Sequence, residues 1–537
     1  MLTQEWASQS IKRYERLRAN RSTLDAHVQE VLEYCLPMNA TVTTSGTPGE
    51  KRNQNIFDDT APLALERFAA GMYNNMCPSN RPWFVLQPEQ GDDYGLTRQL
   101  ASDSELLRKH LVLSNFALSI HELLLDLGSV GTGCLEVGRG IGRLFAFSTR
   151  TFREYVISVD YTGRVDTVFR MATMTARQAD QEFGTNCPES IVKALATDPE
   201  QNFDFLHIVQ PRREIHQKSS RDTLSMEVMS VWIAIKDKQV VSESGWPQMR
   251  YLTPRFYRGS GEIYGRSPGM SVLPSIKLVN KIEQTLIVAA EKVVDPPWLV
   301  PDDGFIGQVA TKPASLLYYR VFPEAPNIRP EPVQTNAQIG VGMEMAEQKR
   351  KVIREGFYND LFMMLHDDKQ RTATEVRDML RNVIALLVPM YGRQKTELFD
   401  PMVEVITDIA AEAGVINWRP ADVKFKVMYM STMALALEYA ELQALSDALL
   451  FTSPLAVINP DVWDLYSLDD VSRGIAEHMA IPNKWLRPVD EVRDMREARA
   501  QMQAQQAQQA QAMAAAEAVP NLSRAAEPGS PMERMGM

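Results

Sequence analysis

The chain has 537 residues, of which 45% are hydrophobic and 23% charged, a composition typical of a globular protein with a sizeable buried core. Its 57 Lys and Arg residues are outnumbered by 68 Asp and Glu residues, and the formal net charge of -11 argues against a conventional high-affinity DNA-binding protein. The four cysteines lie far apart, which excludes a compact zinc motif and a dense disulfide framework. We therefore expect free, buried thiols in a reducing compartment.

No secretory or membrane-spanning segment is expected. The first ten residues include Glu5 and Trp6 and lack an apolar core. The longest apolar stretch, 383–391, is interrupted by Pro389 and is much shorter than the roughly 20 residues that a spanning helix needs. We expect a soluble, intracellular product, and the length favours roughly three or four domains.

The N-terminal part predicts helices. Residues 6–36 place apolar side chains at intervals of three and four, which predicts one amphipathic helix that ends at Pro37. A second helix is predicted over 60–76 and a third over 96–127. Between the first two, residues 41–49 have turn chemistry and predict an exposed loop.

The middle of the chain predicts antiparallel sheet. Its segments alternate polar and apolar residues or are rich in β-branched and aromatic residues, and glycine-containing turns separate them. Two short helices are predicted at 175–183 and 188–196. The predicted strands cover 134–137, 143–149, 154–160, 164–171, 203–210, 226–235, 239–244 and 249–257. The fold class expected for the whole chain is α+β, mostly helical.

Two long helices flank a proline-rich module. Helical periodicity covers 271–294 and returns over 341–365, whereas the eight prolines within 296–337 exclude a helix there. Chain geometry therefore puts a compact module at the far end of an antiparallel helix pair. Its aromatic residues favour a packed module over a linker. The candidate packing residues are Trp298, Phe305, Tyr318 and Tyr319.

The C-terminal part predicts further helices. Thr372-Ala-Thr-Glu375 has the spelling of a capping box, which predicts a helix that restarts after a break at 366–370. More helix is expected over 398–413 and 433–450. The Gln- and Ala-rich segment 501–516 lacks an apolar stripe and predicts weak helix that fades by Pro520.

Motifs of the common enzyme classes give little support for catalysis. No Gly-Lys pair occurs, which excludes a P-loop, and the glycines of 128–133 and 138–142 do not have dinucleotide-binding spacing. His121-Glu122 is followed by Leu125 where a zinc protease has His. We therefore expect no enzyme, with no catalytic residues, no cofactor and no metal site, although carboxylates brought together by folding stay an alternative.

A basic cluster lies on the second long helix and comprises Lys349, Arg350, Lys351 and Arg354. Two interpretations are open. Nearby glutamates at 344, 347 and 355 favour a salt-bridged or solvated helix face, whereas a phosphate-facing ring would use the same cations functionally. Lys369 and Arg371 lie in the predicted helix break, from which a loop could project them into a cavity.

Eight short segments follow one another over about residues 53 to 390. They are Asn53-Gln-Asn-Ile-Phe-Asp58, Ala69-Ala-Gly71, Arg81-Pro-Trp-Phe84, Gly131-Thr-Gly133, Gly163-Arg-Val-Asp-Thr-Val-Phe-Arg170, Tyr264-Gly-Arg-Ser-Pro-Gly269, Asp295-Pro-Pro297 and Thr372-Ala-Thr-Glu-Val376. In their order and spacing, these segments resemble the portal (head-to-tail connector) proteins of short-tailed, podovirus-type bacteriophages.

The resemblance implies a ring, usually of twelve subunits, at one capsid vertex, through which double-stranded DNA enters and leaves without sequence specificity. It implies contacts with the terminase large subunit, capsid and scaffolding proteins, tail adaptor or nozzle proteins and internal core proteins. It also implies a place in the virion, with assembly in the host cytoplasm. The implied regions are an N-terminal part with the wing (1–270), a first stem helix (271–295), a clip (296–337), a second stem helix (338–365), a channel loop with wing helices (366–430), a crown (431–500) and a low-complexity tail (501–537).

Within such a ring the acidic charge is an advantage, because a mainly acidic bore repels phosphate and lets DNA slide. The candidate channel residues are then Lys369 and Arg371 together with the four cations of the basic cluster. Two alternative functions stay open: an internal core or scaffolding protein, and a genome-processing nuclease.

Overall fold

The computed structural model describes residues 3–47, 49–89, 94–212, 223–294, 298–299, 331–332, 339–364, 388–420, 422–431, 448–454, 465–467, 469, 471–472, 474–475, 487 and 489–525. We label the helices α1 (Gln4–Asn20), α2 (Ser22–Cys35), α3 (Thr60–Met76), α4 (Tyr94–Val112), α5 (Phe116–Ser129), α6 (Ala176–Phe183), α7 (Glu189–Thr197), α8 (Pro268–Val294), α9 (Ile339–Gly356), α10 (Asn359–Met364), α11 (Asp400–Glu412) and α12 (Val489–Ala525). The mostly helical α+β class is confirmed.

The strands form four antiparallel sheets among the described residues. The largest has the order β4-β5-β6-β7-β8, a second has the order β3-β2-β9, and β1-β12 and β10-β11 are pairs. The strands are β1 (Phe84–Pro88), β2 (Leu135–Gly138), β3 (Ala146–Thr149), β4 (Tyr155–Val159), β5 (Val165–Thr175), β6 (Asn202–Pro211), β7 (Val228–Ala234), β8 (Gln239–Trp246), β9 (Tyr251–Leu252), β10 (Trp298–Leu299), β11 (Glu331–Pro332) and β12 (Phe425–Tyr429).

The five-stranded sheet lies between helices on both faces. Successive side chains of β6 alternate between these faces, as strand geometry requires. Leu206 and Ile208 pack with Tyr14 of α1, whereas Phe205 packs on the other face with Phe183 of α6. The predicted strands are confirmed, but they do not form one meander, because β2 and β3 pair with β9 instead of β4.

An aromatic cluster around Trp83 joins distant parts of the chain. Trp83 is buried, and its ring contacts those of Phe84, Phe116, Phe399 and Tyr429. The same region holds the antiparallel pair β1–β12, which the sequence did not predict. β1 is therefore paired with a strand that lies more than 300 residues later in the chain.

Two predicted single helices are each two helices. The helix predicted over 6–36 breaks at Arg21, whose buried guanidinium donates to the Tyr155 carbonyl at 2.6 Å and lies 4.1 Å from the centre of the Phe152 ring. The helix predicted over 96–127 breaks before Asn115, whose side chain donates to the carbonyl of Phe147 and accepts its N–H. In both cases a tertiary anchor replaces the continuation of the helix.

The second long helix is also shorter than predicted. α9 ends at Gly356, and α10 begins after Tyr358, which has a left-handed φ of 58°. Phe357 at this break is fully buried against Phe68, so the break serves the core. In the tail, α12 continues past Pro520 to Ala525, so the prediction that helix fades by Pro520 was wrong.

The cysteines are free, as predicted. Cys35, Cys77 and Cys134 are buried, and Cys187 is half-buried with its Sγ donating to the Ala179 carbonyl at 3.4 Å. Burial raises the pKa of the Cys35 thiol to about 12, so it is a neutral core group.

Asp126 in α5 makes the stability dependent on pH. Burial, reinforced by Glu122, raises the pKa of its carboxyl to about 7 although Asn39 donates a hydrogen bond to it. The unfolded carboxyl ionises near pH 3.9. Because the folded state keeps the proton longer, stability falls as the pH rises through this interval, and the loss is complete above about pH 7.

We therefore expect Asp126→Asn to stabilise the protein by about 2 to 4 kcal/mol at pH 8 and by almost nothing at pH 4. Thermal unfolding of both proteins across this interval measures the difference. A constant difference at all pH values would contradict the buried, protonated carboxyl.

Candidate functional site

The α8–α9 pair is the candidate site because it carries the basic cluster. α8 is about 40 Å long and α9 about 27 Å. Their antiparallel register is set by two glycines of α9: Gly342 packs on Leu286, and Gly356 packs on Val272. Ala346 and Ile353, fully buried, lie on the same face of α9.

We expect Gly356→Ala to destabilise the protein by about 1 to 2 kcal/mol. A Cβ at this position would overlap Cγ1 of Val272, a stiff β-branched side chain that is 7% exposed, and the gain in helix propensity offsets only part of the cost.

Gly342→Ala is the matched control, since its Cβ would lie 2.8 Å from Cδ2 of Leu286, the far end of a flexible side chain. Urea unfolding should place this variant within about 0.5 kcal/mol of the parent. Equal losses in both variants would contradict the register described here.

The basic cluster is largely paired with carboxylates. Arg350 is the centre of this network: its Nε lies 2.8 Å from Asp58, and it also pairs with Glu283 of α8 and, at 3.5 Å, with Glu347. Burial opposes the charge of Arg350, but these partners outweigh it and raise its pKa. Arg350 therefore ties α9 to α8 and to the segment before α3.

The other three cations of the cluster differ in their partners. Arg354 pairs with Glu347, and the exposed Lys351 lies 3.8 Å from Glu355. Lys349 is half-buried and forms no ion pair with any residue that the structure describes. The salt-bridged interpretation is thus confirmed for three of the four cations, and the partners Asp58 and Glu283 were not predicted from the sequence.

Two glycine-containing segments, 131–133 and 264–269, contact each other at the N-terminal end of α8, which we call its base. Gly131 has a φ of +85° and packs directly on the backbone of residues 265–267. The Gly265 N–H donates to Thr132 Oγ1 at 2.8 Å, and the Phe256 N–H donates to the Gly131 carbonyl at 2.9 Å. The two backbone segments are too close for a side chain at residue 131 or residue 265, which explains why both residues are glycine.

Gly265-Arg-Ser-Pro-Gly269 also has the Gly-x-Ser-x-Gly spelling of a hydrolase nucleophile elbow. The structure gives its serine another role. Ser267 is fully buried, its hydroxyl donates to the Ser129 carbonyl at 2.7 Å, and it accepts from the Met270 N–H at 2.9 Å. Ser267 is therefore the cap of α8 and is not an exposed nucleophile.

A buried ion pair anchors the segment that precedes α11. Arg255, 3% exposed, donates to both carboxylate oxygens of Glu397, at 2.7 and 3.1 Å. It also donates to the carbonyls of Gly163 and Ile263. This clamp, together with the Gln394 amide that donates to the Arg255 carbonyl at 2.9 Å, holds the turn Lys395–Phe399 against the body.

Several predicted residues lie outside the described residues: Lys369, Arg371, the capping box at 372–375, Phe305, Tyr318 and Tyr319. Of the proline-rich module, the structure describes β10 and β11, in which Trp298 is opposite Pro332.

No single described helix is long and apolar enough to cross a membrane. Only α4 and α5 taken together have the required length and hydropathy, and a bend of 78° separates them. Within the described ranges, no three metal-ligating side chains form a group.

Known proteins match almost the whole chain. The family model of the bacteriophage head to tail connecting protein matches residues 7–486. A probable portal protein of Bordetella phage BPP-1 is 29% identical over 497 residues, which is 90% of this chain and 89% of that protein. The portal protein of Salmonella phage epsilon15 is 25% identical over 529 residues, 96% and 94% of the two chains. The chain belongs to the family of bacteriophage head to tail connecting proteins.

Proposed function

We propose that the chain is a phage portal protein, a structural connector that forms the channel at one capsid vertex for DNA packaging and ejection. The observation that carries this proposal is the family match over residues 7–486, with relatives named as portal proteins that align along most of both chains. The relatives support neither alternative, the scaffolding protein or the nuclease. We propose no catalytic centre and no cofactor.

The proposed regions follow the architecture of the resemblance. α8 and α9 form the stem, residues 296–337 the clip, the body before α8 the wing, and residues 431–500 the crown. The antiparallel packing of α8 and α9 supports the stem assignment. The last residue of α8 and the first residue of α9, which the proposed clip joins in the sequence, lie at the same end of the pair. The clip is the proposed docking site for the terminase large subunit and then for tail adaptors.

The proposed ring has twelve copies and contacts DNA without sequence specificity. Each copy carries a net charge of -11, so the assembled ring is acidic overall, and a mainly acidic bore would not hold DNA tightly. Within the basic cluster, Lys349 is the better candidate for contact with phosphate, since Arg350 is bound by Asp58 and Glu283.

Lys369→Ala combined with Arg371→Ala is expected to preserve ring assembly and to change the amount of DNA packaged or retained, because a channel loop would bring these cations to the phosphates. The packaged genome per particle is measured by quantitative PCR after nuclease treatment. The control is Arg177→Ala with Lys193→Ala, two exposed cations of α6 and α7. Unchanged packaging in the first variant would reject the channel-loop role.

Native mass spectrometry of the purified protein, with negative-stain images of the same sample, tests the proposed function. A closed ring of about twelve copies with a central hole is the expected result. A chain that stays monomeric with capsid and scaffolding proteins present would overturn the proposal, and metal-dependent DNA cleavage lost in a carboxylate variant would favour the nuclease.

A further inference from the structure

The α8–α9 pair has two faces that point away from each other. In each helix, one set of residues packs against the other helix. A residue two positions later in the sequence is rotated by about 200° around the helix axis and therefore points away from the partner helix. We call these residues the α8 outer face (Lys281, Thr285, Val288 and Lys292) and the α9 outer face (Glu344, Gln348, Lys351 and Glu355). All eight residues are exposed.

The two outer faces carry opposite charge. The α8 outer face has two lysines and no carboxylate, and Lys281 donates only to Gln284, at 3.0 Å, among the described residues. On the α9 outer face, Lys351 is paired with Glu355, and Glu344 forms no ion pair within the described part of the chain. Among the described residues, the α8 outer face therefore presents lysines that have no carboxylate partner. The α9 outer face presents Glu344, which has no basic partner there.

Exposed apolar side chains accompany both charges. Leu278 is 40% exposed and lies one turn before Lys281; Val341 is 52% exposed and lies one turn before Glu344. Val288 on the α8 outer face is 43% exposed. Apolar contact beside charge is the combination that buries area in a specific interface.

The helix register places the two charges at one height. Leu286 is level with Gly342 and Val272 is level with Gly356, so Lys281 is level with the turn of α9 between Glu344 and Gln348. Two copies side by side in the same orientation thus bring Lys281 of one copy to Glu344 of the next. Because the complementary faces are on opposite edges of one chain, the contact is head-to-tail, which is the type that closes into a ring.

We propose that a second copy of this chain docks by its α9 outer face on the α8 outer face of the first, with Lys281 paired with Glu344 of the neighbouring copy. This inference rests on the proposed ring and identifies the surface that joins its stems. The second copy is the occupant because charge, apolar contact and height match between two edges of the same chain.

Charge reversal tests the pairing. Lys281→Glu and Glu344→Lys, each alone, are expected to raise the protein concentration at half-assembly by about fivefold or more, because the reversed charge faces one of like sign. The double variant restores the pair and should return to within about twofold of the parent. The matched control for Lys281→Glu is Lys193→Glu on α7, whose side chain is 77% exposed and which makes the same change in net charge. Sedimentation velocity at fixed ionic strength gives the assembled fraction.

A cysteine pair gives a second readout that does not depend on the strength of the interface. Oxidised assemblies of the variant with both Lys281→Cys and Glu344→Cys should show a ladder of cross-linked chains on non-reducing gels, whereas each single variant should not exceed a dimer. If the parent assembles and neither the reversals nor the ladder behave as expected, the inference is overturned and the proposed function stands. If the parent stays monomeric even with capsid and scaffolding proteins present, both are overturned.

Discussion

Replacing Gly131 by Ala is expected to destabilise the protein by about 3 to 5 kcal/mol and to reduce its soluble yield strongly. Two costs add. A side chain at a φ of +85° is strained by roughly 1 to 2 kcal/mol. The new Cβ would also lie 2.5 Å from the carbonyl carbon of Arg266 and 2.6 Å from the Ser267 nitrogen, and backbone atoms cannot rotate away as a side-chain end can.

The displacement would reach α8, because the same junction holds the hydrogen bond from the Gly265 N–H to Thr132 and the cap at Ser267. Gly142→Ala separates the two costs: Gly142 also has a positive φ, of 73°, but no heavy atom lies within 4 Å of its added Cβ. Urea unfolding should show a loss of roughly 1 to 2 kcal/mol for this control. Equal losses at Gly131 and Gly142 would show that the junction at the base of α8 is not tightly packed.

Local sequence patterns predicted correctly those helices and strands whose ends depend on residues near them in the sequence. The predicted helix 60–76 agrees with α3 at both ends. Its apolar stripe lies within the segment, and the Asp58 side chain that accepts from the Thr60 N–H lies only two residues before it. The strands of the largest sheet were predicted for the same reason, since the alternation of apolar and polar residues along each strand indicates which face is buried.

Breaks and pairings that depend on distant residues were not predictable in this way. Arg21 ends α1 because the Tyr155 carbonyl and the Phe152 ring bind its guanidinium, and neither group is near it in sequence. The pairing of β1 with β12 joins residues more than 300 positions apart. Periodicity along one segment carries no information about such partners.

In the candidate site, too, partners on the same helix were predicted and partners on other elements were not. The basic cluster was visible as a run of cations, and its partners Glu347 and Glu355 were predicted because they lie on the same helix. Asp58 and Glu283 come from other elements and were missed. A usable signal existed in Gly342 and Gly356, since small residues on one face of a long helix indicate close approach to a neighbour.

Arg255→Met is the second change with a large expected effect, a loss of about 2 to 4 kcal/mol in the free energy of unfolding. The Met side chain fills similar space but removes the guanidinium partner of Glu397 and the guanidinium donor to the Ile263 carbonyl. The Gly163 carbonyl keeps Arg258 as a donor, and Glu397 keeps the hydrogen bond from the backbone N–H of residue 255. Removing one partner of a buried ion pair costs about 3 to 5 kcal/mol, and the lower range applies here because the Glu397 side chain is 21% exposed.

The comparison for this variant is Arg177→Met. Arg177 pairs with Glu200 at 3.2 Å, but both side chains are more than half exposed, so solvent screens the pair and the loss should be below about 0.5 kcal/mol. The double variant of Arg255→Met with Glu397→Met completes a mutant cycle, in which a coupling of about 1 to 3 kcal/mol is expected from thermal or urea unfolding. Additive losses would mean that Arg255 acts through its packing and its hydrogen bonds to carbonyls, and not through Glu397. A measured coupling would instead show that the Arg255–Glu397 ion pair itself holds the segment Lys395–Phe399 against the body.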